Sequence, residues 1–199
     1  ACLVLRRYLW NMQLCEALYP ALNLLEVTSR NRLHTALSRH AGRDDWYAVI
    51  VLEPREAAAI QDAIALLVRQ GKPVTAGGVV AELSFGFWCS LFDVRYEHGQ
   101  RLWPWLANAV FPFAPRHERQ RKNLSRHINR IRKLRNRVFH YEPLWHWHDL
   151  ADQHALAVNL LKWLNPDMAD VLAAVDRFAP LHSQGEVPRH YLWWQSHED

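Results

Sequence analysis

The sequence has few of the residues that mark small cross-linked or loop-rich proteins. It contains seven glycines, and its three cysteines, Cys2, Cys15 and Cys89, show no C-x-x-C spacing. An odd and unpatterned set of cysteines argues against a disulfide framework and against a zinc site built on thiolates. We therefore expect a protein of a reducing cytoplasm that carries no metal and no other cofactor.

Long apolar runs and several common catalytic motifs are also missing. No uncharged segment reaches the roughly 20 residues that a bilayer requires, and "ACLVLRRYLW" has its apolar run before its arginines, the reverse of a secretory signal. The chain has neither a phosphate loop ending in Gly-Lys-Ser/Thr nor a G-x-S-x-G nucleophile motif. These absences predict no membrane span, no export signal, no P-loop and no serine hydrolase site.

The residues that are present predict an all-α protein with one domain over residues 1–199. Half of them are hydrophobic, including ten Trp, six Tyr and seven Phe, which is enough to fill one sizeable core. Apolar residues at helical spacing predict two opening helices, over 3–18 and 21–37, separated at Pro20. Pro54 and Gly71 bracket a third helix. A buried helix after Pro73 and two helices near 149–163 and 167–177 complete the expected bundle.

A strongly basic segment follows Pro115. Residues 116–137 include ten Arg or Lys and a single acid, Glu118, which is the clearest charge feature of the chain. Apolar residues at steps of three and four predict a long helix over 116–141 with one face toward the core. Those core-facing residues are Leu124, Ile128, Ile131, Leu134 and Val138.

The opposite face of this helix is predicted to form a basic stripe. A stripe of cations about 25 Å long, at 1.5 Å rise per residue, matches a phosphate backbone. The structural alternative is an ordinary solvated helix face, but such faces usually mix charges, and this one has almost no acids in the segment. We therefore predict contact with a nucleic acid. The stripe consists of Arg119, Lys122, Arg126, Arg130, Lys133 and Arg137.

Three residues near the end of the basic helix have the chemistry of metal-free RNA cleavage. Arg135 falls in the middle of the apolar face, where an always-charged guanidinium needs an anion or a cleft. The structural explanation is an ion pair with a core carboxylate such as Glu26 or Glu142. Asn136 and His140 lie four residues apart and therefore share one edge of the helix. Together the three supply a fixed cation, an orienting amide and a group that titrates near neutral pH.

The segment "LRNRVFHYEPLW" resembles the signature of the Abi-like proteins, the abortive-infection branch of the HEPN ribonucleases, whose motif is R-x4-H with Asn in second place. The resemblance implies a HEPN-like helical bundle that dimerises and cuts RNA without metal, as a toxin or phage-defence effector with a possible antitoxin as neutralising partner. It assigns Arg135, Asn136 and His140 to the reacting site. It also implies an early helix packed beside the catalytic one, so that Glu26 or Asn31 supports Arg135 or His140.

Two other functions fit the sequence. A HEPN fold can serve as a non-catalytic RNA-binding or interaction protein. The segment "HWHDL", with His146, His148 and Asp149, offers metal ligands and would suit a metal-dependent hydrolase. Twelve histidines in 199 residues make chance clusters common, so we favour a packed turn for this segment.

Overall fold

The computed structural model describes residues 2–97 and 101–185, and this part of the chain is all-helical. The predicted domain of residues 1–199 thus extends beyond the described ranges. The all-α prediction is confirmed for these ranges, and none of their helices combines the length and apolarity needed to cross a membrane. The helices are α1 Cys2–Ala41, α2 Pro54–Arg69, α3 Ala76–Glu82, α4 Phe85–Ser90, α5 Trp105–Val110, α6 Arg121–Phe139, α7 Leu150–Leu164, α8 Pro166–Ala173 and α9 Phe178–Gln184.

The chain begins with one long helix where the sequence predicted two. Pro20 lies inside α1, although proline lacks an N–H and clashes with the carbonyl four residues earlier, at a cost of about 3 kcal/mol. Leu18, Ala21 and Leu22 around it are almost fully buried. Burial of these side chains keeps the backbone helical across the proline. Tertiary packing therefore overrides the local stop signal, and the prediction of a break was wrong.

The apolar segment after Pro73 is divided into two helices instead of one. α3 ends at Glu82 and α4 begins at Phe85. The Ser84 hydroxyl accepts a hydrogen bond from the N–H of Phe87 at 3.3 Å, so Ser84 acts as an N-cap. An N-cap residue has extended backbone and satisfies a free N–H of the first turn, which separates two helices along a continuous apolar run.

The basic helix α6 begins at Arg121, five residues later than predicted. The preceding residues form a turn, in which the N–H groups of Glu118 and Arg119 both donate to the carbonyl of Pro115. Gln120 is extended, with φ −80° and ψ 136°, and this conformation separates the turn from the helix. The predicted core face of α6 is confirmed. Its buried residues are Leu124, Ile128, Ile131, Leu134 and Val138.

Antiparallel packing of α1 against α6 brings the start of α1 beside the end of α6. The amide oxygen of Asn11 accepts a hydrogen bond from the N–H of Leu144, just beyond α6. Eight residues further along α1, the ring of Tyr19 stacks on Phe139 with centroids 5.3 Å apart. α1 also contacts α4, α5, α7, α8 and α9. The longest helix is thus the central element, and the N-terminal half of α1 flanks the end of α6.

Candidate active site

Arg135 is held by an ion pair across the two central helices. Its Nε lies 3.0 Å and its Nη2 3.4 Å from the two carboxylate oxygens of Glu26 on α1. The guanidinium carbon lies 4.1 Å from the centre of the Phe139 ring, a cation–π contact. Each side chain of the pair is 23% exposed. Arg135 therefore has the carboxylate partner that the structural explanation required, and Glu26 is the one of the two candidates that supplies it.

His140 lies at the C-terminal end of α6, where the backbone is firmly closed. The N–H of Glu142 donates to the carbonyl of Arg137 at 2.9 Å, and the N–H of Tyr141 donates to that of Val138 at 3.4 Å. Tyr141 has φ 58°, so this is a Schellman ending with tyrosine at the position that usually carries glycine. The backbone on both sides of His140 is therefore fixed by hydrogen bonds.

The side chains of Asn136 and His140 are exposed. The backbone N–H of His140 donates to the carbonyl of Asn136 at 2.9 Å, but the amide and the imidazole make no hydrogen bond to one another in the described residues. Arg135 and His140 are five residues apart, which at about 100° per residue separates their directions by about 140°. One chain therefore holds its guanidinium against α1 and presents its imidazole elsewhere.

The other two predicted supporting residues lie away from Arg135. Asn31 is exposed, and its amide oxygen is 3.5 Å from Nε of the adjacent Arg30. Glu142 pairs with Arg137 at 3.4 Å. Within residues 2–97 and 101–185 the side chains of these two residues thus have no hydrogen bond or ion pair with Arg135, Asn136 or His140, whereas Glu26 pairs with Arg135. That supporting role stays a prediction.

Acids from outside α6 neutralise part of the basic stripe. Asp149 lies 2.8 Å from Nη2 of Arg130, and Arg137 pairs with Glu142 and covers the Trp147 ring at 5.0 Å. Both acids lie in the segment that returns along α6, so counting charges within the helix missed them. The sequence-based expectation of a stripe almost without acidic partners is therefore wrong for two of its members.

The remaining stripe residues divide into two groups. Lys122, Arg126 and Lys133 are exposed and have no ion pair or hydrogen bond within residues 2–97 and 101–185. Arg119 precedes α6 and folds back, so that its Nε donates to the carbonyl of Ala114 at 2.8 Å. Its predicted place on the helical stripe is wrong because the helix starts later. Three cations of α6 thus remain open to an external anion.

The "HWHDL" segment does not gather metal ligands. Asp149 accepts hydrogen bonds from Gln153 as well as from Arg130. Burial raises the pKa of Asp149, but these hydrogen bonds, the positive charge of Arg130 and a backbone hydrogen bond together leave the pKa below its usual range. Burial also raises the pKa of the Cys15 and Cys89 thiols, which disfavours thiolate ligands. No group of three His, Cys, Asp or Glu side chains suited to a metal occurs in the described part of the chain.

An apolar groove that the sequence did not predict borders the end of α6. It is a cavity of about 770 Å³ between α1, α6 and the α8–α9 region. Tyr8, Met12 and Tyr19 of α1 line it and are at least half exposed, and Tyr141 beside His140 is 87% exposed. Exposed apolar patches of this kind mark interaction surfaces. In the sequence these α1 residues were indistinguishable from core residues.

Comparison with known proteins adds no assignment to this geometry. No family model matches the chain, and searches of curated proteins and of solved structures find no match either. The candidate site therefore depends on its residues and their arrangement.

We expect Glu26→Gln to lower the free energy of unfolding by about 1.5–3 kcal/mol, because hydrogen bonds to a charged group are lost and the half-buried Arg135 keeps its charge. Glu142→Gln removes an exposed ion pair with Arg137 and should cost less than about 1 kcal/mol. Urea unfolding at pH 7 measures both. Equal effects of the two substitutions would contradict a stabilising role for the pair between α1 and α6.

Proposed function

We propose that this chain is an Abi-like HEPN ribonuclease that cuts RNA without metal, as a bacterial toxin or abortive-infection effector. The observation that carries the proposal is the position of Arg135, Asn136 and His140 at the end of the basic helix α6. There the guanidinium is anchored by Glu26 and the imidazole is exposed. Phosphoryl transfer from the ribose 2′-hydroxyl needs both an anchored cation and an accessible proton carrier.

In this mechanism the 2′-oxygen attacks the adjacent phosphorus, and the bond from phosphorus to the 5′-oxygen breaks. His140 takes the proton from the 2′-hydroxyl or gives one to the leaving 5′-oxygen, a contribution of about 10²–10⁴ in rate. Arg135 stabilises the negative charge that builds on the phosphoryl oxygens. DNA lacks the 2′-hydroxyl and therefore has no internal nucleophile.

The ion pair with Glu26 leaves part of the Arg135 guanidinium for this task. Glu26 accepts from Nε and Nη2, and Nη1 has no hydrogen bond in the described residues. The guanidinium is planar, and Glu26 fixes one of its sides. The direction of the remaining N–H groups is therefore set before substrate binds. Glu26 would then act as a positioning residue for Arg135.

We propose further that two chains form one composite site. Cleavage requires both a base and an acid, whereas each chain offers one His at the motif. The apolar groove lined by Tyr8, Met12, Tyr19 and Tyr141 adjoins His140, and burying it against a second copy would bring two imidazoles together. Hydrophobic burial supplies the driving force for such an association.

The competing function is a non-catalytic RNA-binding or interaction protein with the same fold. The observation that favours it is the ion pair between Arg135 and Glu26, since an arginine whose charge is already balanced fits an architectural role. Cleavage assays distinguish the two functions. A neutralising partner, such as an antitoxin, is compatible with either.

His140→Ala should abolish RNA cleavage in the presence of EDTA, because it removes the proton carrier, while RNA binding persists. His148→Ala is the matched control, as it removes another exposed imidazole from the segment after α6. Cleavage of a mixed RNA pool is measured for both, with circular dichroism to confirm folding. Equal rates for wild type and His140→Ala would remove His140 from the mechanism, and loss of cleavage on chelation would favour a metal enzyme.

Tyr8→Asp should convert a dimer to a monomer and abolish cleavage, because it places a charge in the apolar groove beside the site. Val68→Asp changes an exposed apolar residue on α2, remote from the groove, and should leave the dimer intact. Light scattering gives the mass, and cleavage is followed on the same samples. A wild-type monomer that cuts RNA would refute the composite site.

Joint replacement of Arg126 and Lys133 by Ala should weaken RNA binding whatever the RNA sequence. The salt slope, which is the slope of the logarithm of the binding constant against the logarithm of salt concentration, should become shallower by about 0.7 per lost phosphate contact. Replacement of Arg130 and Arg137, which already pair with Asp149 and Glu142, should change the slope less. Titrations at several salt concentrations give both slopes. If the first double variant binds RNA with the wild-type slope, this face does not contact the backbone.

A further inference from the structure

A second cationic surface lies at the end of α6 opposite to His140. It is a groove of about 470 Å³ between the C-terminal half of α1 and α5. Arg32, Arg39 and His40 of α1 line one wall, and Trp105 and Asn108 of α5 line the other. None of the residues around this groove is an Asp or a Glu. Its charge is therefore positive, and no carboxylate within the groove balances it.

The two arginines have unused hydrogen-bond donors. Nη2 of Arg32 makes one long hydrogen bond, 3.4 Å, to the carbonyl of Ala109. Its Nε is buried and has no hydrogen-bond partner in the described ranges, which is unusual, since buried polar atoms are nearly always paired. Arg39 is exposed, and no ion pair or hydrogen bond of its side chain occurs in the same ranges. An anion in the groove would pair with the charge of both guanidinium groups through their accessible N–H donors.

A flat aromatic surface lies beside these cations. The imidazole of His40 stacks on the indole of Trp105, with centroids 4.1 Å apart and planes inclined by 11°. The amide of Asn108 is exposed at the same wall. Single-stranded nucleic acids are held by this combination, because bases stack on aromatic rings while their phosphates contact cations. A simple inorganic anion would make no use of the rings.

The groove continues toward the basic stripe of α6. Nη1 of Arg119 lies 3.5 Å from the amide oxygen of Asn108, and Arg119 comes two residues before α6 begins. The 19 residues of α6 then extend for about 28 Å to the helix end at His140. Arg119 thus links the groove, through Asn108, to the start of the helix that carries Lys122, Arg126 and Lys133.

We propose that this groove binds one or two nucleotides of single-stranded RNA at a distance from the reacting site. The phosphate contacts Arg32 and Arg39, and a base packs against the stacked His40 and Trp105. The inference rests on the proposed function for the identity of the ligand. It adds a specific consequence, which is that RNA long enough to reach both ends of α6 binds more tightly than RNA that reaches one end only.

The test is binding of labelled oligouridylates, one long enough to follow all of α6 and one short, to the inactive His140→Ala background. Arg32→Ala with Arg39→Ala should reduce the salt slope for the long RNA by about 0.7, the value for one lost phosphate contact, and leave the short RNA unaffected. Trp105→Leu should weaken binding of the long RNA about 5-fold to 150-fold. Arg69→Ala, an exposed arginine of α2 outside the groove, is the matched control.

Long-RNA binding by the groove variants equal to that of Arg69→Ala would overturn the groove site and leave the cleavage proposal intact. Arg39→Ala alone guards against misfolding, because its side chain is exposed and has no hydrogen bond or ion pair in the described part of the chain. Competition by polyglutamate as strong as by oligouridylate would also overturn the site, in favour of an acidic protein partner. Cleavage by the active chain, measured separately, reports on His140 and not on the groove.

Discussion

The packing of α1 against α6 is the constraint on which the rest of the structure depends. α1 is 40 residues long, contacts the helices from α4 to α9, and shares the contacts of α6 with α4 and α7. The bidentate ion pair between Glu26 and Arg135 lies within this contact. Because a guanidinium on an apolar face must be balanced, the pair fixes the rotation of α6 relative to α1. That rotation decides which residues of α6 face outward.

The packing of α6 determines which of its residues face solvent and where its C-terminal end lies. With Arg135 fixed inward, Arg126 and Lys133 face solvent, and His140 is presented at the Schellman ending. The end is stiff, although Tyr141 must adopt φ 58° to close it, a conformation that costs a non-glycine residue of order 1 kcal/mol. In the proposed function, a proton carrier at this helix end would need little reorganisation before reaction.

Much of the fold could be predicted from hydrophobic periodicity and from the proline and glycine residues at helix ends. The predictions that were wrong have identifiable physical causes. The buried stripe of α6 and the ends of α2, set by Pro54 and Gly71, follow from local rules that the structure obeys. Pro20 was misread because its cost is local while the burial that offsets it is tertiary. Ser84 was missed because an N-cap inside an apolar run gives a weak signal. The site also contains one contact that the sequence predicted and one that it did not. Glu26 was among the expected partners of Arg135. The pairing of Arg130 with Asp149 was not expected, because it depends on a reversal of the chain after α6.

The ion pair between Glu26 and Arg135 fits both competing functions, and the geometry around it explains why. In a purely structural role, the pair balances the charge of Arg135 on the face of α6 that packs against the core. As part of a reacting site, it aims a guanidinium before substrate arrives, and electrostatic stabilisation is strongest when donors are aimed in advance. What separates the two is whether a proton carrier can approach the free side of the arginine. In one chain His140 is directed about 140° away from Arg135, so in the proposed function the carrier would come from a second copy. Under that proposal, dimerisation through the apolar groove would turn a structural ion pair into a catalytic one.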